Sequence, residues 1–203
     1  MAKKPLHIRR RIALSRVFGV ALALVALFTA SRWRKYPLFG ATLFAGGCVL
    51  VGIASVGRLW CALYISGYKK QSLITTGPYS LCRNPLYFFS LLGAIGVGLA
   101  TETMMIPLVI GIAFASYYPP IIKAEEVKLR GLHSERYEVY CNSVPRFIPR
   151  ASRLTEPTEY LVNPSLFRKS MLDALWFVWL VGILEIVRAL QELGVLPVYW
   201  SSY

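Results

Sequence analysis

GYKKQSLITTGPYSLCRNPLY, running from Gly67 to Tyr87, is a polar segment set between two strongly apolar ones. Gly67, the Gly77-Pro78 pair and Pro85 break any continuous helix across it. Lys69 and Lys70 give it positive charge, and Arg83-Asn84 stand at the mouth of the next apolar run. Before it lies the Gly-rich run Leu38 to Val56, which Leu59 to Ile65 can prolong; after it come Leu86 to Ala100 and Met104 to Tyr118. Apolar runs of this kind around a basic loop describe helices that cross a membrane and a loop at its surface. A simple connection between helices needs far fewer residues. A loop this long, rich in hydrogen-bonding groups, is expected to hold something.

Composition agrees. Of the 203 residues 56% are hydrophobic and only 16% charged, with mean hydropathy +0.50, which a soluble domain of this length would not show. The predicted fold class is therefore all-α, a multi-pass integral membrane helical bundle. Five transmembrane helices are expected: Ile12 to Ala30, Leu38 to Val56, Leu86 to Ala100, Met104 to Tyr118 and Met171 to Leu190. The first, 19 residues, spans about 28 Å as a helix, roughly one hydrocarbon core. It follows a basic head and reads as a retained span, being long for a signal peptide and lacking a clear cleavage site. The third and fourth are short and form a helical hairpin about the polar tip Thr101-Glu102-Thr103, with Pro119-Pro120 expected to break or kink the return helix. Residues 121–150 read as a polar helix with Leu129, Leu132, Arg136, Tyr137 and Tyr140 along one face, ended by Pro145 and Pro149. Asn163-Pro164-Ser165 is a turn or helix-start signal, and Glu185 and Arg188 are spaced to neutralise each other. The chain thus divides into N-terminal helices (1–66), a core of loop, hairpin and polar helix (67–150), and a linker with a last span (151–203).

The net charge is +13, and no Asp or Glu precedes Glu102. Positive residues cluster beside apolar runs, which marks topology and contact with anionic headgroups rather than nucleic acid. The head, the central loop and residues 121–170 are basic, whereas the Thr101 tip has no Lys or Arg. That pattern puts the N-terminus and both long polar segments in the cytoplasm and the tail from Val198 outside, in a bacterial inner membrane or the endoplasmic reticulum. Arg32, Arg34 and Lys35 fall on the wrong side of this scheme. Cys48, Cys61, Cys82 and Cys141 make no CxxC pair, so neither a disulfide framework nor a metal site is expected.

The two polar blocks flank the hairpin and face one side. Arg83 can hold a carboxylate or phosphate through its fork. Tyr79 and Tyr87 can pack a ring or a cation on their faces. Glu125 and Glu126 can accept hydrogen bonds or offset positive charge. These residues suit a polar, cationic cofactor at the membrane surface, and spacing alone does not fix which one.

Gly77-Pro78-Tyr79-x-x-x-Arg83-Asn84-Pro85-x-Tyr87 resembles the signature of the isoprenylcysteine carboxyl methyltransferase family and its bacterial phospholipid-methyltransferase-like relatives. Glu125-Glu126-x-x-Leu129, followed by Tyr137-x-x-Tyr140-x-x-x-Val144-Pro145, resembles that family's second block. The resemblance covers about residues 60–150 and implies a helical membrane methyltransferase using S-adenosylmethionine, with a lipid or lipidated acceptor. It implies cofactor contacts at Gln71, Ser72, Leu73, Ile74, Tyr79, Asn84, Pro85, Leu86, Tyr87 and Glu125. It places Arg83 beside the acceptor and methyl group. Glu126 or a tyrosine is the base should an amine acceptor require one. Asn84 stands where the prenylcysteine enzymes more usually have His, His133 where they have Phe, and Ser134 where they have Gly. Ile121 stands where they carry an arginine for the prenylcysteine carboxylate, which tilts the acceptor toward membrane lipid in general.

Two other classes compete. Tyr140-Cys141-Asn142-Ser143-Val144-Pro145 is similar to a segment of NADPH-dependent sterol-type reductases. Those enzymes usually carry an acidic residue soon after the tyrosine, where Tyr87 is followed here by Phe88-Phe89-Ser90. A non-catalytic lipid-binding scaffold is the third class, and it would bind no nucleotide-like cofactor.

Overall fold

Pro37 opens helix α1 (Pro37–Ile65), its fixed φ suiting the first helical turn. The computed structural model describes residues 27–66 and 72–202. A single turn, α2 (Pro78–Leu81), precedes α3 (Pro85–Ala100), and the tip Thr101–Thr103 leads into α4 (Met105–Ser143). Helix α5 (Pro164–Glu192) closes the bundle. Two three-residue strands, β1 (Thr29–Ser31) and β2 (Trp200–Ser202), pair in parallel with Thr29 opposite Trp200. The fold is all-α: α1, α4 and α5 are long and apolar enough to cross a membrane, and α3 is a shorter apolar helix.

Helix α3 is the hub, with its most extensive packing against α1. A Cβ on Gly47 would lie 2.6 Å from the Gly96 carbonyl oxygen, and one on Gly96 would lie 2.8 Å from that of Gly47. Close backbone approach of small residues is how helices associate where lipid removes the hydrophobic drive. Lower on the same pair, the Phe89 ring occupies the space over Gly57, and on the α5 side Phe177 fills the space over Gly93. Helix α4 packs on another side of α3, with Gly98 against Pro107.

The helix boundaries differ from the expected ones in physical ways. Helix α1 starts one residue early and runs on to Ile65, so Arg58 lies inside it. Pro119 and Pro120 do not end the return helix, which continues for 39 residues. Both prolines, and Ala115 and Ser116 whose carbonyls lose their partners, lie on the exposed face, where the missing bonds disturb no buried contact. The break falls instead at Ser134, with φ 39 and ψ −114. This kink splits the expected stripe: Tyr137 and Tyr140 are buried, whereas Leu132 and Arg136 are exposed. Helix α5 begins at Pro164, not Met171, because Asn163 caps it, its Oδ1 accepting from the Leu166 N–H at 3.2 Å. Of the expected first span, residues 12–26 lie outside the described residues, and Thr29–Ala30 are strand rather than helix.

Contacts sort the chain into two ends. At one, the Ser31 hydroxyl donates to the Glu102 carbonyl at 2.6 Å and the Arg188 guanidinium meets the Glu102 carboxylate at 2.5 Å. Arg188 also pairs with Glu185 at 3.4 Å, the expected neighbour, and with Glu192 at 3.5 Å. The Tyr199 N–H donates to the Phe28 carbonyl at 3.1 Å, so the tail joins this end too. The other end gathers residues 72–84, the end of α4 and residues 145–156.

Candidate active site at one end of the bundle

Gly77 sets the loop. Its φ is 59 with ψ −134, a conformation open to glycine, and a Cβ there would run into the Tyr64 ring. Its N–H donates to the Thr155 carbonyl at 2.8 Å. Ser80 Oγ donates to the Gly77 carbonyl at 2.7 Å and accepts from the Thr155 N–H at 3.0 Å. Further on, the Arg83 N–H donates to the Pro145 carbonyl at 2.8 Å and the Arg150 N–H to that of Leu81 at 3.1 Å. The loop before α3 is thereby laced to the segment after α4, and the two sequence blocks become one site.

At its centre is the Glu126 carboxylate. Oε1 lies 3.4 Å from the Arg83 guanidinium and Oε2 lies 3.0 Å from that of Arg146. The Arg83 and Glu126 side chains are 16% and 14% exposed, that of Arg146 45%, so the first pair is the more sheltered. Asn84, at the N-cap position of α3, does not cap the helix. Its amide donates to the Arg146 carbonyl at 2.9 Å and reaches Glu126 at 3.5 Å. Arg83 also donates to Cys141 Sγ at 2.8 Å, while its Nε is buried without a partner. Two guanidinium groups against one carboxylate leave this cluster with surplus positive charge and an unused buried donor. That is the chemistry of a site for an anionic oxygen.

Aromatic rings gather where α3 meets α4. Tyr87 meets Tyr118 edge-on at 5.3 Å, and Phe114 stacks on Tyr118 at 4.0 Å. Phe147 lies 5.9 Å from both Phe88 and Phe114. On the loop side a cavity of about 760 Å³ opens between residues 73–80 and the end of α4, lined among others by Leu73, Thr76, Ser80, Arg136, Tyr140 and Arg153. Tyr79 precedes the cavity residue Ser80, and its carbonyl accepts from the Tyr140 hydroxyl at 2.7 Å. Burial, then the neighbouring Cys61, Tyr140, Cys82 and Glu125, hold the Tyr79 phenol well above its ordinary range, so it stays a neutral donor. Burial pushes the Cys82 thiol up to about 11, so it is no nucleophile at neutral pH.

The structure brings Arg83, Asn84 and Glu126 into direct contact and sets Pro85, Leu86 and Tyr87 on the first turn of α3 beside them. Leu73 and Ile74 are half-buried near the cavity and Ser72 is exposed. Glu125, next to Glu126 in the chain, is exposed. Gln71 lies outside the described residues. Sequence reasoning missed Arg146, which follows Pro145 and has no helical spacing to Glu126. His133 is half-buried with an unpartnered Nε2. Cys141 receives a hydrogen bond from Arg83.

A family model for phospholipid methyltransferases matches residues 36–136. The chain is 37% identical over 192 residues to the nickel-cobalt-cadmium resistance protein NccN of Alcaligenes xylosoxydans xylosoxydans, covering 94% of this chain and 89% of that one. It is 39% identical over 188 residues to the cobalt-zinc-cadmium resistance protein CzcN of Cupriavidus metallidurans, covering 93% and 86%. No solved structure matches it.

Proposed function

Since this chain belongs to the phospholipid methyltransferase family, we propose that it is an S-adenosylmethionine-dependent membrane enzyme that methylates a lipid or lipidated acceptor. The observation that carries this reading is the Arg83–Glu126–Arg146–Asn84 cluster, with its surplus positive charge and the unpartnered Arg83 Nε. S-adenosylmethionine would supply an electrophilic methyl carbon on a sulfonium. The groups present suit it: the cavity beside Leu73 and Ser80 has room for a nucleoside, Tyr79 and Tyr87 offer aromatic faces, and Glu125 offers negative charge to a cationic donor. Ser72, Leu73, Ile74, Tyr79, Glu125 and the first turn of α3 from Asn84 to Tyr87 would hold it, with Gln71 from the preceding loop.

The chain's own part in the reaction is alignment and exclusion of water. Arg83 orients the acceptor's oxygens. Glu126 has both oxygens engaged by guanidinium groups, so it positions Arg83 rather than taking a proton. That favours an acceptor already anionic, a phosphate or carboxylate, over an amine that must first lose a proton. The aromatic wall from Tyr87 to Phe147 keeps water from the lipid side. The site end carries Lys123, Lys128, Arg130, Arg136, Arg150 and Arg153, and we place it in the cytoplasm of a bacterial cell. The named metal-resistance relatives suggest that the modified membrane component serves resistance in this chain as well.

The test is transfer of labelled methyl from S-adenosylmethionine into total membrane lipid by the purified protein. Label in a lipid fraction, abolished in Arg83→Ala, supports the reading; no label above a boiled control contradicts it.

A further inference from the structure

Arg58 lies in α1, seven residues before Ile65, about 10 Å inside the site end of the helix. A cation at that depth is costly unless it reaches the interface or finds an anion. Arg58 does neither by itself. Its guanidinium is held sideways by the Ser90 hydroxyl of α3, by the Asp173 carbonyl of α5 at 3.0 Å, and by the Phe177 ring at 5.5 Å. No ion pair within 4.0 Å includes it among the described residues; Asp173 acts on it only at longer range. Its Nε is buried without a partner.

The position matters as much as the charge. Helices α4 and α5 both pack on α3 but share no extended contact with each other. On α3, Phe177 of α5 covers Gly93 and Pro107 of α4 covers Gly98, and the arc between those faces includes Ser90. The Arg58 head, bonded to Ser90, therefore sits at the α4–α5 cleft. The Tyr118 hydroxyl of α4 lies close enough to act on its charge. Tyr118 in turn contacts Tyr87 of the candidate site.

We propose that Arg58 binds the phosphate of a membrane phospholipid entering the α4–α5 cleft. This phosphate site does not rest on the methyltransferase reading. An incoming phosphate supplies the missing counter-ion and a partner for Nε. The site combines groups from α1, α3 and α5, and α5 lies beyond the residues matched by the family model.

The full chain in detergent is titrated, without any methyl donor, with phosphatidylglycerol, with diacylglycerol of the same acyl chains, and with inorganic phosphate, and bound lipid is counted by native mass spectrometry. Phosphatidylglycerol is expected to bind more tightly than diacylglycerol. Arg58→Gln is expected to weaken phosphatidylglycerol about tenfold, Arg58→Lys less, and neither to change diacylglycerol. Ser90→Ala, which frees the guanidinium from α3 and removes little packing, is expected to weaken it about threefold and decides the matter if Arg58→Gln does not fold. Equal binding of phosphatidylglycerol by parent and variants overturns the proposal. So does displacement of the lipid by equimolar inorganic phosphate, which would make the site a free-anion site. Loss of S-adenosylhomocysteine binding with the lipid result intact would remove the enzyme reading and keep the phosphate site.

Discussion

Glu126 holds two arginines, and the nearer one should matter less. Arg146 is 3.0 Å from the carboxylate with a side chain 45% exposed; Arg83 is 3.4 Å away and 16% exposed. With water-like screening the Arg146 attraction is about 1.4 kcal/mol, whereas at the effective dielectric of about 20 for a sheltered pair the Arg83 attraction is about 5 kcal/mol. Desolvation takes back much of the second figure, leaving a net coupling of about 1–3 kcal/mol for Arg83 and below about 1 kcal/mol for Arg146. Two double-mutant cycles measure these terms: Arg83→Ala with Glu126→Gln, and Arg146→Ala with Glu126→Gln, each by reversible unfolding in mixed detergent–SDS micelles. The first coupling should exceed the second at least about twofold, and only the second should fall steeply with added salt. A larger coupling for Arg146 would refute the argument that shelter, not distance, ranks these contacts, and with it the central place of Arg83.

Three further outcomes follow from single positions. Gly77→Ala should cost more than about 2 kcal/mol, because it adds backbone strain to a clash with Tyr64 and loosens the hydrogen bond to Thr155; unfolding midpoints check this. Ser134→Gly should raise stability by up to about 1 kcal/mol by relieving its positive φ, net of the entropy glycine adds to the unfolded chain. Cys82 is raised on folding from its ordinary value of 9.0 to about 11, so the native state holds the thiol proton longer than the unfolded chain does. Its contribution is complete below pH about 9 and is lost as pH rises through about 11, so Cys82→Ala should flatten the fall in stability across that window.

Much of this fold is written in hydropathy. The apolar runs from Leu38 and from Leu86, the polar tip at Thr101 and the Asn163 cap each have a local cause that a sequence displays. Elsewhere local cause misleads. Pro119 and Pro120 should end a helix in isolation, yet their exposed face leaves the buried side of α4 unaffected, and the kink falls at Ser134, a residue type with no breaker signal. The site was legible to the extent that Arg83, Asn84 and Glu126 form compact motifs. Arg146 and Arg58 were not, because each joins its partners through tertiary contact: Arg146 across the turn after α4, Arg58 across three helices. A single arginine inside an apolar helix looks like a helix end until α5 is seen to lie against it.

The proposed function requires a methyl donor bound beside Tyr79, Arg83 and Tyr87. Calorimetric titration of the detergent-purified protein with S-adenosylhomocysteine, with NADPH as the control ligand, tests this most directly. Saturable binding of S-adenosylhomocysteine, weakened about tenfold or more in Tyr87→Ala and Glu125→Ala, with no heat from NADPH, is the predicted result. A well-folded protein that ignores S-adenosylhomocysteine, or that binds NADPH in its place, would contradict it.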